Sequence, residues 1–127
     1  MTIRNIISLA LLPLISACTM ESMTTNQISE LYSDSTSLSA NKAYENYYGA
    51  DGSYRSTDLS TGKVSVGSWY AQEPDEICIV VNKGERCFSM AKSDTTVTFQ
   101  SNGNTSSRKL SEFLNGDQTE GLLKTAE

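Results

Sequence analysis

A chain of 127 residues has the length of one ordinary domain, and ten basic against fifteen acidic residues give it a net charge of −5. That balance argues against a nucleic-acid binder, which needs a basic face to release counterions from phosphates. The chain has no histidine and only three cysteines, which excludes Ser-His-Asp triads, Cys-His pairs, His-ligated zinc or haem, and four-cysteine metal sites. No cofactor and no metal is expected.

The first seventeen residues read as an export signal. Arg4 supplies a positive start, and Ile6 to Ile15 is an apolar run of ten residues. A membrane-spanning helix needs about 20 apolar residues, so this run is too short to be one. Small residues follow at Ser16 and Ala17, and then comes Cys18. Leu14-Ile15-Ser16-Ala17-Cys18 resembles the lipobox of bacterial lipoproteins, an aliphatic residue and two small ones before an acceptor cysteine. The resemblance implies cleavage after residue 17 and acylation of Cys18, with diacylglycerol on the thiol and palmitate-type chains among the acyl groups. Each buried methylene contributes about 0.8 kcal/mol and stable anchoring takes about two lipid signals. In that family an aspartate after the cysteine marks the inner membrane. Thr19 stands there instead, which implies the outer membrane, facing the periplasm. The membrane, reached through the acyl chains on Cys18, is thus one expected partner.

Loss of residues 1–17, Arg4 among them, leaves 110 residues with a net charge of −6. Residues 18–26 are polar and aperiodic and read as a lipidated tether. Residues 27–123 read as one β-rich domain, with 124–127 as a tail. Thr25 or Asn26 is placed to cap a short helix through Ile28, Leu31 and Tyr32, whose spacing makes one apolar stripe. From Lys42 to Gln100 short alternating runs lie between turn residues. Tyr44 to Tyr48 and Ser53 to Thr57 flank Asp51-Gly52, a strong hairpin signal. Lys63 to Ala71 puts Val64, Val66 and Tyr70 on one face and Gly67 and Trp69 on the other. Ile77 to Val81, Arg86 to Met90 and Thr95 to Gln100 complete the pattern. It predicts a mainly β fold: a small antiparallel up-and-down sheet or barrel of six or seven strands with a short N-terminal helix. The end is ambiguous. Asn102-Gly103 signals a hairpin, whereas Leu110, Phe113 and Leu114 are helically spaced before Gly116, so residues 107–115 read as strand or as a short C-terminal helix.

Cys78 and Cys87 flank a turn at Asn82 to Gly84. A hairpin closing about Asn82-Lys83 sets Val81 against Gly84, Val80 against Glu85 and Cys78 against Cys87. Such non-hydrogen-bonded partners have Cα atoms about 4.5 Å apart, within disulfide range. An exported chain meets an oxidising compartment, so the pair is expected as a staple, leaving no free thiol once Cys18 is acylated. The spacing is not the Cys-x-x-Cys of a redox site.

Tyr47-Tyr48 with Asp51-Gly52, Gly67-Ser68-Trp69, Cys78, Cys87-Phe88, Gly116-Asp117 and Gly121-Leu122 resemble a small domain of unknown function in proteobacterial periplasmic proteins. The likeness spans about Ile28 to Leu122. It implies a small β-rich fold and no known catalytic residue.

Trp69, Tyr48, Tyr54 and Tyr70 are candidates either to fill a small core or to line a ligand cavity. Gly67 is placed for a close approach of backbone or indole. Asp75-Glu76 lack the spacing of a calcium loop and read as a solvated turn. The leading functional expectation is a lipid-anchored, non-catalytic periplasmic module binding a protein, an envelope polymer or a small ligand. The alternatives are an inhibitor of lysozyme-like enzymes, towards whose cationic surface the negative charge would steer it, and a hydrolase acting through paired carboxylates.

Overall fold

A computed structural model describes residues 20–121 apart from Ala40 and Lys83. Cys18, the segment read as an export signal, Leu122 and the expected tail lie outside the described residues. The chain runs β1 (Glu21–Ser22), α1 (Thr25–Tyr32), β2 (Ser35–Leu38), β3 (Tyr44–Tyr48), β4 (Ser53–Asp58), β5 (Val64–Gln72), β6 (Glu76–Val81), β7 (Gly84–Lys92), β8 (Thr96–Ser101), β9 (Asn104–Lys109), a single 3-10 turn (Leu110–Glu112) and β10 (Leu114–Asn115). Residues 119–121 turn helical again at the end of the described chain. The fold is mainly β, as expected, and β2 to β9 follow one another in antiparallel up-and-down order. The sheet curls into a half-barrel. β10 borders β2 at one edge, and β1 pairs with the end of β7 beyond the reach of β6.

Among the described residues there are ten strands rather than six or seven. β1 and β10 are two residues long and carry no periodicity, and β2 (Ser-Thr-Ser-Leu) and β9 (Asn-Thr-Ser-Ser-Arg-Lys) are too polar to show an apolar alternation. The ambiguous stretch 107–115 is strand to Lys109, then the 3-10 turn, then β10. The segment read as a tether is folded from Glu21 onward: Glu21 and Ser22 pair with Lys92 and Ala91, and Met23 is buried. The helix cap is Thr24, one residue before the expected position. Its Oγ1 accepts from the Gln27 amide (3.2 Å) while Gln27 Oε1 accepts from the Thr24 amide (3.0 Å), a reciprocal box that closes the first turn.

Alternation sets which side chains face inward. On β5 Trp69 is buried while Val66 is 69% exposed on the convex side, matching the two faces expected for this strand. The core comprises Met23, Ile28, Tyr32, Tyr48, Tyr54, Trp69, Ile77, Met90 and Val97. α1 lays Ile28 and Tyr32 across one end of the half-barrel, where Tyr32 packs on Tyr48 (ring centroids 4.5 Å), Trp69 (6.1 Å) and Phe113 (5.3 Å). Such aromatic pairs contribute about 0.5–1.5 kcal/mol each beyond area burial. The described strand pairings fall within residues 21–115 and the core within 23–113.

Candidate ligand-binding cavity

The hairpin of β6 and β7 pairs Val81 with Gly84, Val80 with Glu85 and Cys78 with Cys87, the register read from the sequence. The two cysteines form a disulfide with Cα atoms 4.1 Å apart. Their sulfurs and Glu85 lie within 4.8 Å of one another. Both sulfurs are spent on the disulfide, so the cluster offers no thiolate to a metal. The staple lies on the convex side, beside Tyr70, whose hydroxyl donates to Glu85 Oε1. Cys87 is followed inward by Phe88 and preceded inward by Arg86, which share the concave face with Met90.

Away from α1 the concave face is not filled. A cavity of about 550 Å³ lies there, walled by Ile77, Ile79 and Val81 of β6, Phe88 of β7, Phe99 of β8, and Tyr32, Tyr48 and Tyr54. Ligand pockets run from about 300 to 1,000 Å³ with mostly apolar walls and a few placed polar groups. The polar residues of the lining are Ser37, Ser39, Asn46, Ser106, Arg86 and Arg108, together with Glu85. Asn46 Oδ1 accepts from the Tyr54 hydroxyl (3.1 Å). Arg108 stitches the open seam of the half-barrel. From β9 its Nε donates to the Leu38 carbonyl on β2 (3.1 Å) and its Nη1 to the Ser107 carbonyl (2.8 Å), while its guanidinium stands over the Phe99 ring at 5.8 Å. Burial pushes the Tyr32 and Tyr48 phenols well above the ordinary tyrosine range, and the Arg108 guanidinium pulls both back in part. These hydroxyls stay protonated and available as donors. A shallower cavity of about 350 Å³ adjoins the first and shares Arg86, Phe88, Phe99 and Ser106 with it.

The structure divides the four aromatic candidates. Tyr48 and Tyr54 belong to both the core and the cavity wall. Trp69 is core: its Nε1 donates to the Gly49 carbonyl at 2.8 Å, tying β5 to the β3–β4 turn. Tyr70 does neither, because its odd register with Trp69 turns it to the convex surface, where it is 41% exposed. The close approach expected at Gly67 comes from the neighbouring strand, where a Cβ would overlap the Val80 carbonyl oxygen. Asp51 is a turn residue whose Oδ1 accepts from the Ser53 amide (3.0 Å) and hydroxyl (2.7 Å).

Sequence reasoning missed Arg86, Arg108, Phe88 and Phe99. The first and third were within reach, since Arg86, Phe88 and Met90 alternate along one face of β7. It also missed Glu45. That carboxylate lies on the convex face of β3 and is fully buried, as is its cross-strand partner Thr57. Neither Glu45 oxygen, nor Thr57 Oγ1, has a hydrogen-bond partner of ordinary geometry. The C-terminal segment lies over this face. The Thr36 hydroxyl donates to the Gly116 carbonyl (2.7 Å) and accepts from the Gln118 amide (3.1 Å), and Arg55 Nη2 donates to Asp117 Oδ1 and Thr119 Oγ1, both at 2.6 Å. Burial pushes the Glu45 carboxyl up, against the Thr119 and Thr57 hydroxyls and the Arg55 guanidinium. The Arg55 hydrogen bond holds Asp117 down at about 2. No family model, curated protein or solved structure matches the chain.

Proposed function

We propose that this is a lipid-anchored protein of the bacterial envelope, held on the outer membrane facing the periplasm by acyl chains on Cys18, that captures a small ligand without transforming it. The observation that carries the binding half is the cavity of about 550 Å³ on the concave face, apolar in its walls and dotted with a few convergent polar groups. The anchoring half rests on the lipobox at Leu14 to Cys18. An anchor confines the binding site to the membrane surface and raises its effective concentration there. Hydrolysis by paired carboxylates needs two carboxyls about 5–9.5 Å apart. The cavity lining contributes Glu85 alone among the described residues, which favours capture over cleavage.

Titrating the unit from Thr19 onward with the neutral fluorophore N-phenyl-1-naphthylamine tests the cavity. Saturable binding of one probe per chain is expected, abolished in Ser106→Trp, where an indole on the exposed edge strand fills the mouth without touching the core. Non-saturable fluorescence, or full binding by that variant, overturns the reading. Cell fractionation tests the anchor: Cys18→Ser should leave the membrane fraction.

A further inference from the structure

The net charge of the chain is negative, yet its cavity is not. Two arginines, Arg86 and Arg108, line it, and the one acidic lining residue, Glu85, carries its carboxylate on the opposite face of β7 from Arg86. That carboxylate is already engaged on the convex side by the Tyr70 hydroxyl. Arg108 spends part of its donor set on the seam. Arg86 has no hydrogen bond or ion pair among the described residues, although Arg55 elsewhere in the sheet has a 2.6 Å partner in Asp117. Arg86 also stands where the two adjoining cavities share their wall, between the inner apolar chamber and the polar rim made by Ser101, Asn104 and Thr105. The exposed Arg86 guanidinium is free to receive a planar or tetrahedral oxyanion, because its fork of donors matches carboxylate and phosphate geometry. Behind it Phe88, Phe99, Ile79, Ile77 and Tyr48 form a wall suited to a hydrocarbon or aromatic body.

We infer that the ligand is an anionic amphiphile, its carboxylate or phosphate head at Arg86 within the field of Arg108 and its apolar body among Ile77, Ile79, Phe88 and Phe99. The inference rests on the capture reading above and adds the ligand's charge and orientation. In this arrangement the head stays near solvent while the apolar body leaves water, so charge desolvation is limited and hydrophobic burial is retained. Arg86 sets the sign of the head group. Arg108 adds a second positive charge and holds the cavity's open seam together.

The test is displacement of the neutral fluorophore by a matched series of decanoate, decyl phosphate, decanol and decylammonium at low salt. Either anion should compete at about tenfold lower concentration than decanol, the increment expected of a charge-assisted hydrogen bond, and decylammonium should compete worst. The two anions between them tell a carboxylate from a phosphate head. Arg86→Gln should erase the preference for anions, so that decanoate and decyl phosphate compete no better than decanol, and Arg86→Lys should restore part of it. The Arg86 side chain makes no hydrogen bond or ion pair among the described residues, and its backbone pairing with Ile79 is kept in either variant. Equal competition by decanol and decanoate, or an anion preference that survives Arg86→Gln, overturns the inference and leaves capture standing. Failure of the fluorophore and all four competitors to bind overturns capture itself.

Discussion

Opening the Cys78–Cys87 disulfide perturbs one covalent constraint in a strand pair that walls the cavity. The bond spans a sequence separation of 9, so it closes a loop of ten residues in the unfolded chain. Chain entropy alone gives about 2.7 kcal/mol for a loop of that length. A domain of about 100 residues shifts its melting temperature by about 4–8 °C per kcal/mol, so reduction should lower the midpoint by about 11–22 °C. The assay is thermal unfolding followed by far-ultraviolet circular dichroism, oxidised against reduced, with Cys78→Ala/Cys87→Ala as a third sample. Cys78 is fully buried, so the double variant also loses packing and should melt below the reduced protein. Reduction isolates the constraint. The folded register of β6 and β7 does not depend on the bond, because Ile77 opposite Phe88 and Ile79 opposite Arg86 fix the same pairing. Ligand capture well below the reduced midpoint should therefore persist. A shift of less than about 4 °C on reduction would refute the assignment of this stability to the unfolded chain.

At Gly67 an added Cβ has no room beside the Val80 carbonyl, so Gly67→Ala should cost about 1–3 kcal/mol, read as a lower urea midpoint at unchanged slope. Glu45 makes the cover over β3 depend on pH. Its carboxyl is raised in the fold from 4.5, so its contribution is complete below about that value and is lost as pH rises through the raised one. Hydrogen exchange at the Gly116 and Gln118 amides should quicken over that rise, and Glu45→Gln should remove the dependence. Asp117 acts in the opposite sense. Lowered from 3.8 to about 2, it stabilises above its ordinary range and the effect disappears as pH falls towards 2. With 43% of its side chain exposed, the Arg55 pair is worth no more than about 1 kcal/mol. The segment should therefore be best protected near pH 4, with Asp117→Asn removing only the acid arm.

Features that the sequence made legible share one physical source, local turn chemistry joined to period-2 burial. Asn102 and Gly103 adopt φ of 51° and 80°, the double left-handed turn that an Asn-Gly pair favours, and they pair Ser101 with Asn104. Val66 outside and Trp69 inside follow from alternation along β5. β9 carries no apolar alternation for the same reason that it is stable as an edge: its outward residues are polar, and so are its three inward ones, Asn104, Ser106 and Arg108. Long-range geometry was the other blind spot. Arg108 meets Leu38 across 70 residues, and the cover over Glu45 joins Thr36 to Gln118 across 82. Nothing in the neighbourhood of Glu45 in the sequence distinguishes it from the solvated carboxylates of other strands, since what buries it arrives from the far end of the chain.

The same polar edges account for the cavity. Curling brings β2 and β9 towards each other, but the inward residues they bring are Ser37, Ser106 and Arg108, beside Asn46 on β3. Small hydroxyls do not fill a barrel interior, and a guanidinium cannot be buried dry without a counter-charge. The end under α1 received Ile28, Tyr32, Met90 and Val97 and closed into a packed core. The end beside Arg86 and Arg108 received a lining that is apolar on β6 to β8 and polar at the seam. Hydrophobic collapse is incomplete there because of which residues the edge strands supply. An anionic amphiphile offers both halves of that lining what the chain itself withholds: an apolar body for Phe88 and Phe99, and a charge for the unpaired Arg86.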